Sequence, residues 1–109
     1  MSYDVGLEIN TGGEYPASVG GDHNYTYNVA KMFGAAFACD KGLCVIHNLT
    51  GAEGRLWLVG AIDYMEAHMD KMRDMNPPNG WGDAEGALEF LRKILADCTD
   101  HPLASIRIT

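Results

Sequence analysis

Tyr3-Asp4-Val5-Gly6-Leu7-Glu8-Ile9-Asn10 is the stretch whose reading decides the fold. Tyr3, Val5, Leu7 and Ile9 fall on one side of an extended chain, with Asp4, Gly6, Glu8 and Asn10 on the other. That is the period of a strand with one buried face. A lone strand is not stable in water and needs a neighbour. A similar alternation closes the sequence, where Ala104, Ile106 and Ile108 interleave with Ser105, Arg107 and Thr109. The two ends therefore predict one small sheet, made by pairing the N- and C-terminal strands.

Working inward, three segments carry helical periodicity. The first spans about Tyr27 to Ala38, capped by Thr26 or Asn24, with Val29, Met32, Phe33, Ala36 and Phe37 on its apolar side. The second opens at Thr50-Gly51-Ala52-Glu53, a capping box in which Thr50 and Glu53 satisfy each other's exposed N–H groups. It runs to about Met75, with Leu58, Ile62, Met65, Met69 and Met72 as its stripe, and Asn76-Pro77-Pro78-Asn79-Gly80 stops it. The third spans about Ala84 to Cys98, capped by Asp83, with Leu88, Leu91, Leu95 and Cys98 as its stripe. Thr11 to about Asn24 reads as a Gly-, Pro- and Ser-rich loop, and Leu43–His47 as a short apolar run, strand or coil. The expected fold is α+β over residues 1–109 as a single domain. Its small sheet of terminal strands has three helices packed on one face.

The 109 residues hold 8 basic and 15 acidic side chains, a formal charge of −7. A surface of that sign disfavours nucleic acid and anionic lipid, and it suits solubility or a cationic protein partner. No apolar run approaches the roughly 20 residues of a membrane span. Three cysteines, an odd number, and a start without a basic-then-apolar leader point to reduced thiols in a cytosolic compartment.

The richest polar stretch is Asp22-His23-Asn24-Tyr25-Thr26-Tyr27-Asn28. At a helix start its unsatisfied N–H donors would hold a phosphate or carboxylate. Its tyrosines would offer stacking surfaces, and its asparagines paired donors and acceptors. The plainer alternative is that Asn24 and Thr26 cap and the tyrosines cover core. Trp81, in the rigid turn with Asn79, is either a hydrophobic plug, which a tight interhelix turn favours, or a ligand platform. His23, Asn24, Tyr25, Thr26, Tyr27, Asn28, Asn79 and Trp81 form the candidate ligand site. Arg55, Arg73, Arg92 or Arg107 would have to supply its counter-charge. The methionine stripe reads as core or subunit seam rather than copper ligands. Cys39, Cys44 and His47 have zinc-like donor types without zinc-like spacing. No phosphate loop, HExxH or GxSxG occurs, so neither an enzyme nor a cofactor is expected.

Tyr3–Ile9, Asn24–Val29, Asn76–Arg92 and His101–Ile108 resemble a group of small uncharacterised proteins of tailed bacteriophages and prophages. The resemblance implies an accessory product in the cytoplasm of an infected bacterium. The expected function is a non-catalytic protein that sequesters a small anionic ligand, such as a nucleotide signal of host immunity, to evade host defence. A homodimer sharing the pocket is also expected. The alternatives are an acidic inhibitor of a basic host defence protein and a phage structural or assembly protein.

Overall fold

A computed structural model describes residues 2–109. Strands β1 (Ser2–Ile9), β2 (Ala17–Thr26) and β3 (Ser105–Ile108) form an antiparallel sheet in the order β2-β1-β3. Helices α1 (Ala30–Ala36), α2 (Gly51–Ala67), α3 (Met69–Asp74) and α4 (Ala84–Asp100) cover its apolar face. The fold is α+β. Tyr3, Val5 and Leu7 of β1 are buried, while Asp4 between them is exposed, so the opening alternation reads as a half-buried strand should.

The terminal strands do pair, Val5 with Ile108 and Leu7 with Ile106. They are not the whole sheet. The stretch expected to be loop from Thr11 to Asn24 contains β2, which pairs along the other edge of β1. Its glycines mask the strand period and lower β propensity, and pairing with β1 overrides both. Three residues of β2, Gly20, Gly21 and Asp22, stand opposite the single Gly6, between the pairs Val5–His23 and Leu7–Val19. This is an extended β-bulge, which bends the strand.

The expected second helix is two. It breaks at His68, whose backbone leaves the helical region at φ −127° and ψ 36°. The imidazole Nδ1 lies 2.9 Å from the Tyr64 carbonyl, and the ring stacks on Tyr64. The methionine stripe continues across the break, with Met65 and Met72 fully buried. Leu43–His47 is neither strand nor coil; Gly42–Ile46 is a turn of 3-10 helix that buries Leu43 and Ile46. The Thr50–Glu53 capping box and the Asp83 cap are both formed.

Two features tie the far ends together. Phe33 lies against Tyr3, Phe37 and Phe90, with centroids 5.5, 6.3 and 6.2 Å away, joining α1 to the sheet and to α4. The outer edge of β3 is covered by the chain before α2, since the Asn48 N–H donates to Ile106 and the Ile106 N–H to Leu49, each at 2.8 Å. Among the described residues no helix is long and apolar enough to cross a membrane.

The first turn of α2 abuts the end of α4, and a Cβ on Gly51 would lie 2.3 Å from the His101 carbonyl oxygen and 2.9 Å from that of Cys98. Backbone cannot swing aside as a side chain does. Gly51→Ala should therefore cost about 1–3 kcal/mol, the usual range for overpacking, read as a lower urea midpoint at unchanged slope.

Candidate functional site

The β2 bulge is held to α4 by one carboxylate. Asp97 accepts the Gly21 N–H at 2.9 Å, and the same oxygen pairs with His23 Nε2. A Cβ on Gly20 would stand 2.9 Å from that carboxylate, and Gly20 has φ +69°, so both space and backbone require glycine there. Partial burial works to raise the Asp97 pKa. The hydrogen bonds from His23 and Gly21, with the charges of His23 and His101, outweigh it and hold the carboxyl below its usual range.

From this clamp β2 runs along α4 in the opposite direction. Tyr25 reaches the first turn of α4, where a Cβ on Gly86 would come within 2.2 Å of its hydroxyl. The ring stacks on Phe90 at 5.5 Å. The hydroxyl accepts the Asp83 N–H at 3.0 Å and donates to the Asp83 carbonyl at 3.3 Å. Between strand edge and helix lies a groove of about 380 Å³, lined by Asp22, His23, Asn24 and Tyr25 of β2 and by Gly86, Glu89, Phe90 and Lys93 of α4. Asn24 Nδ2 is committed to Asp4 Oδ1 at 2.7 Å and Ser2 Oγ at 3.2 Å, and Asn24 also borders the hollow on the sheet's open face. Lys93 enters no ion pair among the described residues.

The other candidate residues separate from this groove. Asp22 to Thr26 belong to a strand, and the helical stretch begins only at Tyr27, as a 3-10 turn Tyr27–Val29 that runs directly into α1 with Thr26 as its N-cap, as expected. His23, Asn24 and Tyr25 therefore sit ahead of the helix start, on the strand. Thr26 caps that turn, accepting from the N–H and the side-chain amide of Asn28. Tyr27 stacks on Tyr3 at 5.0 Å. Asn79 accepts the Trp81 N–H at 2.9 Å, and Trp81 is 68% exposed, so it is no plug. Gly82 packs the turn that carries both against Tyr25 and Thr26.

Of the four arginines expected to supply charge, Arg73 pairs with Asp70 and Glu85, Arg92 with Glu66 and Glu89, and Arg107 with Glu8. The groove's cation is Lys93. His47 accepts the Ile108 N–H at its Nδ1. Among the described residues no three His, Cys, Asp or Glu side chains stand close enough to hold a metal ion. Burial, aided by the charge of Asp97, pushes the Cys98 thiol up to about 11, while Cys44 is exposed.

Sequence reading passed over Gly86, Glu89, Lys93 and Asp97. A signal was there: Gly86, Phe90, Lys93 and Asp97 recur at helical spacing beside the apolar stripe of α4. Comparison with models of protein families, with curated proteins and with solved structures finds no match to this chain.

Two outcomes follow from this geometry. A hydrogen bond to a charged group contributes about 1.5–3 kcal/mol, and Asp97→Asn should cost about that at neutral pH. With its folded-state pKa depressed, Asp97 stabilises fully above the unfolded value of about 3.9 and loses that contribution as pH falls through the folded value. The gap between wild type and Asp97→Asn in urea unfolding should therefore close in acid. In the native protein a thiol reagent at mildly alkaline pH should label Cys44 promptly and Cys98 only on unfolding.

Proposed function

We propose that this protein is a non-catalytic binding protein that sequesters a small anionic ligand in the groove between β2 and α4. The setting proposed is that of a phage or prophage product inside a bacterial host, where such a ligand would be a nucleotide signal of host immunity. The observation that carries the reading is the convergence of His23, Asn24 and Tyr25 on one groove with Lys93, which has no ion pair among the described residues.

The groove's charges narrow the ligand further. Lys93 is the point charge for a phosphate or carboxylate. Asp22 and Glu89 repel a bare anion, but carboxylates accept hydrogen bonds from sugar hydroxyls, as they do for ribose in dinucleotide-binding folds. The set therefore fits a molecule with hydroxyls beside a single negative group, and a nucleotide has both. Binding is favoured over turnover because, among the described residues, no serine, threonine or cysteine lines the groove.

A second reading rests on the adjoining open face of the sheet, which shares Asp22, His23 and Asn24 with the groove. The sheet's open face presents Asp4, Glu8 and Asp22 around a hollow of about 310 Å³, and its Arg107 is already paired with Glu8. That face suits docking on a basic protein, and such binding would weaken steeply with salt.

Calorimetry of the full chain against nucleoside monophosphates, cyclic di- and trinucleotides, ADP-ribose and inorganic phosphate tests the first reading. At least one nucleotide should bind and inorganic phosphate should not. Lys93→Ala should weaken that binding by about tenfold or more, the effect of losing about 1.4 kcal/mol. Silence across the nucleotides, or binding indifferent to Lys93→Ala, would end it.

A further inference from the structure

Asn79-Gly80 is the one asparagine–glycine pair in the chain. The other asparagines precede Thr11, Tyr25, Val29, Leu49 and Pro77. Asn79 and Gly80 are both exposed, in the turn between α3 and α4 and outside every helix and strand. An asparagine side chain can be attacked by the backbone nitrogen that follows it, because the product is an unstrained succinimide ring. A side chain on the next residue shields that nitrogen. Glycine leaves it bare, and a Cβ on Gly80 would itself meet nothing within 4 Å.

The folded turn adds to this. Asn79 Oδ1 accepts the Trp81 N–H at 2.9 Å. That donor draws electron density from Cγ and stabilises the negative oxygen that forms when a nucleophile adds there, as an oxyanion hole does. Among the described residues it is the only hydrogen bond of the Asn79 side chain, so Nδ2, the leaving nitrogen, is unrestrained. The Gly80 N–H donates to the Pro77 carbonyl at 3.2 Å, the long end of the range, from an exposed position where water can replace the acceptor.

We infer that Asn79 is a self-modification site, where the folded turn promotes deamidation instead of suppressing it. Hydroxide takes the Gly80 amide proton, and the nitrogen bonds to Asn79 Cγ. The Cγ–Nδ2 bond breaks, and the leaving nitrogen takes a proton from water and departs as ammonia, which restores the hydroxide. Water then opens the succinimide at either carbonyl, leaving an aspartyl or an isoaspartyl residue. The sum is one water consumed and one ammonia released, with nothing oxidised or reduced. Either product adds a carboxylate to a chain already at −7. The isoaspartyl product also runs the main chain through Cγ, one carbon longer. The turn is pinned on either side, where Asn76 Oδ1 accepts the Ala84 N–H at 2.9 Å and the Tyr25 hydroxyl accepts the Asp83 N–H at 3.0 Å. Between these pins Asn79, Gly80 and Trp81 face solvent, so the added length has room. Asn79 does not line the β2–α4 groove, and the inference is independent of what that groove binds.

Ageing the full chain at mildly alkaline pH, folded and in urea, tests the inference by ammonia release, peptide mass mapping and isoaspartyl-specific methylation. The folded chain should be modified at Asn79, at least as fast as the unfolded chain. Asn79→Gln should remove the modification. Trp81→Pro lacks the N–H and should slow ageing of the folded chain by about fivefold, the worth of one hydrogen bond, with the unfolded rate unchanged. Trp81→Ala keeps the N–H and should age as the wild type does. A folded chain that ages more slowly than the unfolded one overturns the inference. So does modification at another asparagine, or a folded Trp81→Pro chain that ages as fast as Trp81→Ala.

Discussion

β1 takes hydrogen bonds along both edges, from β2 next in sequence and from β3 at the far end of the chain. Its side chains Tyr3, Val5 and Leu7 enter the core that the helices close. The rest follows from that placement. β3 must lie beside β1, which brings α4 and the start of α2 together at Gly51. The open edge of β3 is then closed by Asn48–Thr50, which removes a template for unwanted strand pairing.

The other edge is handled differently. β2 carries more residues than β1 can match, and the surplus is expelled as the Gly20–Asp22 bulge. Expelled backbone needs hydrogen-bond partners, and Asp97 supplies one to Gly21 while engaging His23. The same contact holds the strand beside α4 and leaves the groove in front of Lys93. Stability and the candidate site thus share a single carboxylate.

The candidate site was half legible. His23, Asn24 and Tyr25 stood out because polar and aromatic side chains were crowded in a short stretch, and they do line one groove. The helix start attached to them does come, at Tyr27 with Thr26 as cap, but these three residues lie before it in β2: Gly20 and Gly21 hid the strand's alternation, and a bulge has no local period to detect. Thr26 and Asn28 satisfy one another, and Trp81 turned outward though its proline-framed turn promised a plug. Asp97 escaped notice because an acid near a helix end is ordinary until something docks on it.

What the sequence determined by itself was what depends on neighbours a few residues apart. The half-buried terminal strands, the capping box at Thr50, the cap at Asp83, the stop at Pro77-Pro78 and the apolar stripes of the helices are all of this kind. Tertiary structure alone decided that a glycine-rich stretch becomes a strand, that His23 meets Asp97, and that Lys93 rather than an arginine faces the groove. The physical reason is that these outcomes are set by partners far away along the chain. Pairing energy from β1 outweighs weak local propensity in β2, and no window of sequence contains both sides of that balance.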